Sequence, residues 1–191
     1  MNTHYIKRQA QKGFTLVELL IVVIILAILA AIVVPQFASS TDDAKISSLD
    51  STLSNMRSAV DLYRQQHAAY PGDADATGGG AAGCTGSQAP GAANGGTLET
   101  FYEQMTMYTN AVGQTCSKQD PGFDYGPYLK KAPLSANPVT DDATLVISTA
   151  GNLVMNGDGA GGGWKYDTKT GKFIANDTNT DPSGVVTYDK H

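Results

Sequence analysis

The run from Phe14 to Val34 constrains this chain more than any other segment. Apart from Thr15 and Glu18 it is wholly apolar. About 21 helical residues at 1.5 Å each span roughly 32 Å, the width of a bilayer's hydrocarbon core. That length and composition predict a membrane-spanning helix. Glu18 breaks the pattern. A charge inside such a helix costs about 2.5–3.5 kcal/mol on insertion scales, so this carboxylate needs a partner. Lys7, Arg8 and Lys12 precede the run. The positive-inside rule therefore holds residues 1–13 in the cytoplasm and sends the remainder outward.

An ordinary secretory signal is cleaved beyond its apolar stretch, at small residues. Here the small residue, Gly13, stands before it. A cut between Gly13 and Phe14 keeps the anchor and creates an α-amino group on Phe14. That amine lies about one helical turn from Glu18. It can pair with Glu18 of the same chain or with that of a neighbouring copy, and the second pairing makes the carboxylate an assembly signal. The alternative is a plain signal anchor carrying an incidental glutamate.

The segment Lys12-Gly13-Phe14-Thr15-Leu16-Val17-Glu18-Leu19-Leu20 resembles the prepilin signature of type IV pilins and type II secretion pseudopilins. The resemblance implies that a prepilin peptidase cuts after Gly13, that Phe14 becomes N-methylated, and that Glu18 serves assembly. Two further segments resemble the major pseudopilin: Tyr128–Pro133 with Asn137-Pro138, and Gly163–Tyr166 with Thr170-Gly171. The pair of cysteines and the glycine-rich stretch Gly78–Gly96 depart from that pattern. The implied fold is pilin-like α+β, a long N-terminal helix packed on a small antiparallel sheet. The implied role is a filament subunit, stored in the inner membrane with its C-terminal domain in the periplasm. An inner-membrane assembly platform and minor pilins or pseudopilins would be its partners in building a helical homo-oligomer. The favoured filament is the pseudopilus of a type II-like secretion system. A type IV pilus for adhesion, motility or DNA uptake is the second reading, and a signal-anchored periplasmic binding domain the third.

The organisation expected along the chain is a leader at 1–13, a transmembrane and assembly helix at 14–34, and an amphipathic continuation at 35–70. A variable region with a short helix follows at 71–124, then a sheet and tail at 125–191. Pro35 removes a helical hydrogen bond from Ala31, which predicts a kink near 31–35. Thr41-Asp42-Asp43 offers cap residues at which the helix restarts. Ile46, Leu49, Leu53, Met56, Val60, Tyr63 and His67 recur at spacings of three and four, one apolar stripe suited to pack on the chain's own sheet. His67 closes that stripe and reads as an edge residue rather than a ligand. Leu98–Thr109 predicts a short helix. Thr144–Ser148, Asn152–Met155, Gly163–Tyr166 and Lys172–Ala175 predict strands joined by hairpin turns, with Val185–Tyr188 as an edge strand.

Charge and motifs narrow the chemistry. The formal net charge is −5, and loss of Lys7, Arg8 and Lys12 with the leader makes it −8. An acidic exported body argues against a dedicated nucleic-acid surface. Cys84 and Cys116 are the only cysteines. In an oxidising compartment they pair; two separate thiols are the alternative. Gly157–Gly162 matches GxGxxG, but a strand-like segment follows instead of a helix, which argues against dinucleotide binding. The three histidines are too scattered for acid–base catalysis, so the expectation is a protein that is not an enzyme and requires no cofactor. Asp177, Asn179 and Asp181 place oxygens at alternate positions, as a calcium loop begins. Pro182 stands where its glycine would be. A solvated turn is the plainer reading, and a structural calcium, which the resemblance also implies, the sharper one.

Overall fold

The computed structural model describes residues 13–73, 83–86 and 95–191. The leader through Lys12 and most of the Gly78–Gly96 stretch lie outside the described residues. The chain divides into two compact units, Met1–Asp43 and Ala44–His191.

In the first unit a helix, α1, begins at Leu16; its full range is Leu16–His67. Every large apolar side chain from Phe14 to Val34 is exposed. Leu16–Val34 is long and apolar enough to cross a membrane. So much uncovered apolar surface calls for lipid or protein around it. The chain stays helical through Pro35. It also stays helical through Thr41-Asp42-Asp43, which corrects the expected restart there. The Thr41 hydroxyl donates back to the Phe37 carbonyl at 2.9 Å, so it caps nothing.

In the second unit the remainder of α1 supplies one wall of the core. Leu49, Leu53, Met56, Val60 and Tyr63 are buried among Phe101, Met105, Trp164, Tyr166 and Phe173. This is the stripe read from the sequence, and Ile46 packs at its margin. Helix α2, Leu98–Thr106, is capped by Thr97, whose hydroxyl accepts from the Thr100 amide. Two short strands follow, β1 (Tyr108–Thr109) and β2 (Thr115–Cys116), paired antiparallel. The expected helix through Thr109 therefore ends early and its last residues join a strand.

Three more strands, β3 (Leu145–Ser148), β4 (Trp164–Asp167) and β5 (Phe173–Ala175), form a sheet in that order. The fold class is α+β, but the sheet is mixed, which corrects the antiparallel expectation. β4 and β5 are antiparallel, whereas β3 runs parallel to β4, with Leu145 opposite Trp164. A parallel pair needs a crossover of about a dozen residues or more, and residues 149–163 supply it. The apolar segment Asn152–Met155 is consumed in that crossover. It forms no strand, and Leu153 and Val154 are left 76% and 75% exposed. Val185–Tyr188, expected as an edge strand, contributes only an isolated antiparallel bridge between Thr180 and Thr187, and a 3₁₀ turn occupies Tyr188–Lys190.

The β4–β5 turn depends on two residues. Gly171 has φ +70°, and a Cβ there would meet the Tyr70 ring at 2.1 Å. Asp167 is buried and its carboxylate gathers the Ser148 hydroxyl and the amides of Gly151, Lys169 and Thr170 at 2.9–3.0 Å.

Candidate processing and assembly site

Gly13 precedes the helix in exposed chain outside any regular element, and a Cβ built on it meets no atom within 4 Å. The Gly13–Phe14 bond is thus open to a protease, and Phe14 itself is 85% exposed. At the start of α1, Thr15 and Glu18 satisfy each other. Glu18 Oε2 accepts from the Thr15 amide at 2.9 Å and from the Thr15 hydroxyl at 2.8 Å. The Glu18 amide in turn donates to Thr15 Oγ1 at 3.2 Å. This reciprocal pair is a capping box, which ties down amides that the first helical turn cannot bond itself. The carboxylate also faces the positive end of the helix dipole. Sequence reasoning paired Glu18 with the amine that cleavage creates on Phe14 and missed Thr15 as its mate within the chain. The available signal was the spacing T-x-x-E just before an apolar run.

The other flagged residues lie in the second unit. Cys84 and Cys116 form a disulfide with Cα atoms 5.8 Å apart. Beside it the Asp120 carboxylate accepts from the Thr85 amide at 2.6 Å and from the Thr85 hydroxyl at 3.1 Å. The amide bond, foremost, holds the Asp120 carboxyl below the usual range. Among the described residues, Cys84, Cys116 and Asp120 are the one set of three His, Cys, Asp or Glu ligand atoms within 4.8 Å of each other. The bonded sulfurs offer no thiolate to a metal.

Gly157–Gly162 forms no phosphate cradle. The Gly157 amide donates to Asp189 Oδ2 at 3.0 Å, the Asp158 amide to Asn176 Oδ1 at 2.8 Å, and the Gly161 amide to Asp177 Oδ1 at 3.1 Å. Amides that a phosphate would need are engaged by the protein's own acceptors, and β4 follows rather than a helix.

The structure gives Asp177, Asn179 and Asp181 different surroundings. Asp177 is 1% exposed; its Oδ1 accepts from the amides of Gly161 and Asn179, and its Oδ2 has no partner among the described residues. Asn179 is exposed. Asp181 accepts from the Ser183 hydroxyl and turns its other oxygen toward His191. The Ser183 bond is the main reason its carboxyl is held below the usual range.

His67 is more than an edge residue. It sits against the rings of Tyr63, Tyr125 and Tyr128, with centroids 4.2, 5.1 and 6.3 Å away. Its Nε2 is 3.0 Å from both the Tyr128 and the Thr109 hydroxyls. It joins the end of α1 to β1 and to the segment carrying Tyr128. Lys130 and Lys131 are exposed.

Comparison with known proteins finds a family motif at the N-terminal end and relatives that align with part of the chain. Residues 8–34 match the family described as the prokaryotic N-terminal methylation motif. The chain is 45% identical over 65 residues to the type II secretion system core protein G of Pseudomonas aeruginosa, covering 34% of this chain and 46% of that protein. It is also 45% identical over 60 residues to the type IV narrow pilus major component PilA5 of Thermus thermophilus, covering 31% and 52%. To the fimbrial protein of Neisseria meningitidis it is 41% identical over 63 residues, covering 33% and 37%. The aligned region spans about half or less of each of these relatives. No solved structure matches the chain.

Proposed function

We propose that this chain, which carries a prepilin-type N-terminal methylation motif at residues 8–34, is the structural subunit of a pilus-like filament, the major pseudopilin of a type II-like secretion system. Prepilin peptidase cuts it between Gly13 and Phe14 and methylates the new amine. The inner membrane holds α1 until an assembly platform and minor subunits draw it into a helical homo-oligomer. The single observation that carries the reading is the conjunction at the start of α1. An exposed Gly13–Phe14 bond, a carboxylate one turn on, and an uncovered apolar run to Val34 stand in one segment. Similarity to core protein G of type II secretion over 65 residues favours the pseudopilus, and similarity to PilA5 keeps a type IV pilus as the second reading.

The chemistry follows from the geometry. Before cleavage, Glu18 is satisfied by Thr15 within its own chain. Cleavage adds a cation at Phe14. In low dielectric, that cation of one copy and the Glu18 carboxylate of the next attract far more strongly than in water. Glu18→Ala is expected to leave cleavage and membrane insertion intact and to abolish filaments. Cleavage is read by the mass of the mature chain and filaments by electron microscopy of sheared material. Normal filaments from the Glu18→Ala chain would defeat the proposal.

A structural calcium at Asp177, with Asn179 and Asp181 from the same turn, is part of the proposal. Its support is the buried, unpartnered Oδ2 of Asp177, an anionic atom that a hard cation would satisfy. When bound, calcium would tie the C-terminal turn to the glycine-rich crossover. Calcium is expected to raise the melting temperature of the native chain but not that of Asp177→Asn. Equal shifts in both would remove it.

A further inference from the structure

Asn156 and Gly157 lie in the crossover between β3 and β4, outside any regular element. Asparagine followed by glycine is a pair prone to self-reaction. The glycine amide nitrogen can close a five-membered ring on the asparagine side-chain carbonyl with no side chain in the way. The fold surrounds this pair with charged groups. The Gly157 amide donates to Asp189 Oδ2 at 3.0 Å. The Lys190 ammonium lies 3.0 Å from the same oxygen and donates to Asn156 Oδ1 at 2.5 Å. An ammonium only donates, which fixes the orientation of the Asn156 amide. The Asp189 side chain is 3% exposed, and the Thr187 hydroxyl bonds its other oxygen. Asn156 itself is exposed to water. A Cβ at Gly157 would meet the Asp177 amide nitrogen at 3.1 Å, so the close packing suits glycine there.

Nucleophile, base, cation and electrophile thus stand in one hydrogen-bonded chain. We propose that Asn156 is a self-modification site, at which the fold itself promotes conversion of asparagine to aspartate or isoaspartate. Gly157 N bonds to Asn156 Cγ, and its proton passes to Asp189 Oδ2 as the bond forms. Lys190 stabilises the negative charge that develops on Asn156 Oδ1. The Cγ–Nδ2 bond then breaks, and ammonia leaves with the proton that Asp189 took. Water opens the resulting succinimide at either carbonyl, and no electrons are exchanged. A fold ordinarily slows this reaction by tying the amide to a neutral carbonyl. Here the acceptor is a carboxylate, which can take the proton. The product carries a carboxylate beside Lys190, and the Lys165 ammonium, which donates to the Asn156 main-chain carbonyl at 3.1 Å, adds a second cation. The site rests on neither the filament reading nor the calcium reading at Asp177.

The test follows the full-length chain at neutral pH, folded in detergent micelles or unfolded in urea. Mass spectrometry of a digest reads the conversion, and chromatography separates aspartyl from isoaspartyl peptides. Asn156 is expected to convert about tenfold faster in the folded chain than in the unfolded one, the reverse of the ordinary effect of folding. Lys190→Gln and Asp189→Asn should each lower the folded rate about tenfold, and Lys190→Arg should keep most of it. Asn94-Gly95, the other such pair in the chain, is the reference in each digest, and its rate should not change in the variants. If Asp189→Asn fails to fold, as judged by its melting curve, Lys190→Gln decides, because the Lys190 side chain is 45% exposed. Conversion no faster in the folded chain than in the unfolded one, or an unchanged folded rate in Lys190→Gln, overturns the proposal and leaves Asp189 and Lys190 as an ion pair.

Discussion

Glu18 and His67 each acquire a meaning from neighbours with which the sequence reading did not pair them. Thr15 turns an expensive carboxylate into half of a capping box, and the Tyr63, Tyr125 and Tyr128 rings turn an apparent edge histidine into a half-buried joint. Burial, chiefly, pushes the His67 pKa below its ordinary value, and the Ala111 carbonyl opposes this weakly. The titratable groups against the ring are the three tyrosines; burial raises Tyr63 and Tyr128, so these two stay neutral near pH 7. The sign of the pH effect follows. The unfolded histidine, at about 6.5, takes up a proton before the folded one does. The contribution of neutral His67 is complete above that value and is lost as pH falls below it. The native chain is therefore expected to lose melting temperature between pH 7.5 and 5.5, and His67→Gln to lose less across the same interval. A steeper loss in the variant would contradict the assignment.

Among the elements, the β4–β5 hairpin and its turn show how a local polar knot fixes strand register. Burial opposes ionisation of Asp167, yet the Thr170 amide, the Ser148 hydroxyl and the Gly151 amide outweigh it and hold its carboxyl below the usual range. A lowered folded pKa stabilises above the unfolded value, near 3.9, and that stability is lost as pH falls through the folded value. Asp167→Ala leaves several donors unpaired at once. Hydrogen bonds to a charged group are worth about 1.5–3 kcal/mol each and do not add fully, so a loss of roughly 2–4 kcal/mol is expected at pH 7. Denaturant titration of native and variant chains at pH 7 and pH 3 checks both points, since the difference should shrink at the lower pH. The parallel pairing of β3 with β4 is also decided at this scale. Periodicity marks a strand but carries no direction, and only the route of residues 149–163 distinguishes a hairpin from a crossover.

For the whole molecule, the division into Met1–Asp43 and Ala44–His191 separates two kinds of stability. Among its described residues the first unit buries no large apolar side chain. The second is held by one core around Leu49, Leu53, Trp164 and Tyr166. Leu53→Ala is therefore expected to cost about 2–5 kcal/mol in the second unit, the usual range for a buried leucine. Cleavage at Gly13 should proceed at the native rate. A melting curve and the mass of the mature chain read the two effects independently, and loss of cleavage with loss of the core would show that the units are not separate.

The anchor, the position of Gly13 before it, the stripe from Leu49 to Tyr63 and the α+β class were all legible in the chain, because each rests on composition or a short repeat. Length fixes a span, and spacing fixes a helix face, without knowledge of what lies opposite. The remaining features bring together residues far apart in sequence, and no local pattern encodes them. Tertiary structure decided that β3 lies parallel to β4, that Leu153 and Val154 stay outside, and that Asp177 keeps one buried oxygen unpaired among the described residues. It also set His191 between Asp50 and Asp181, groups that approach only once the C-terminal turn packs on α1. Proximity across the fold depends on the path of the chain, and that path is chosen by the total free energy of packing rather than by any one segment.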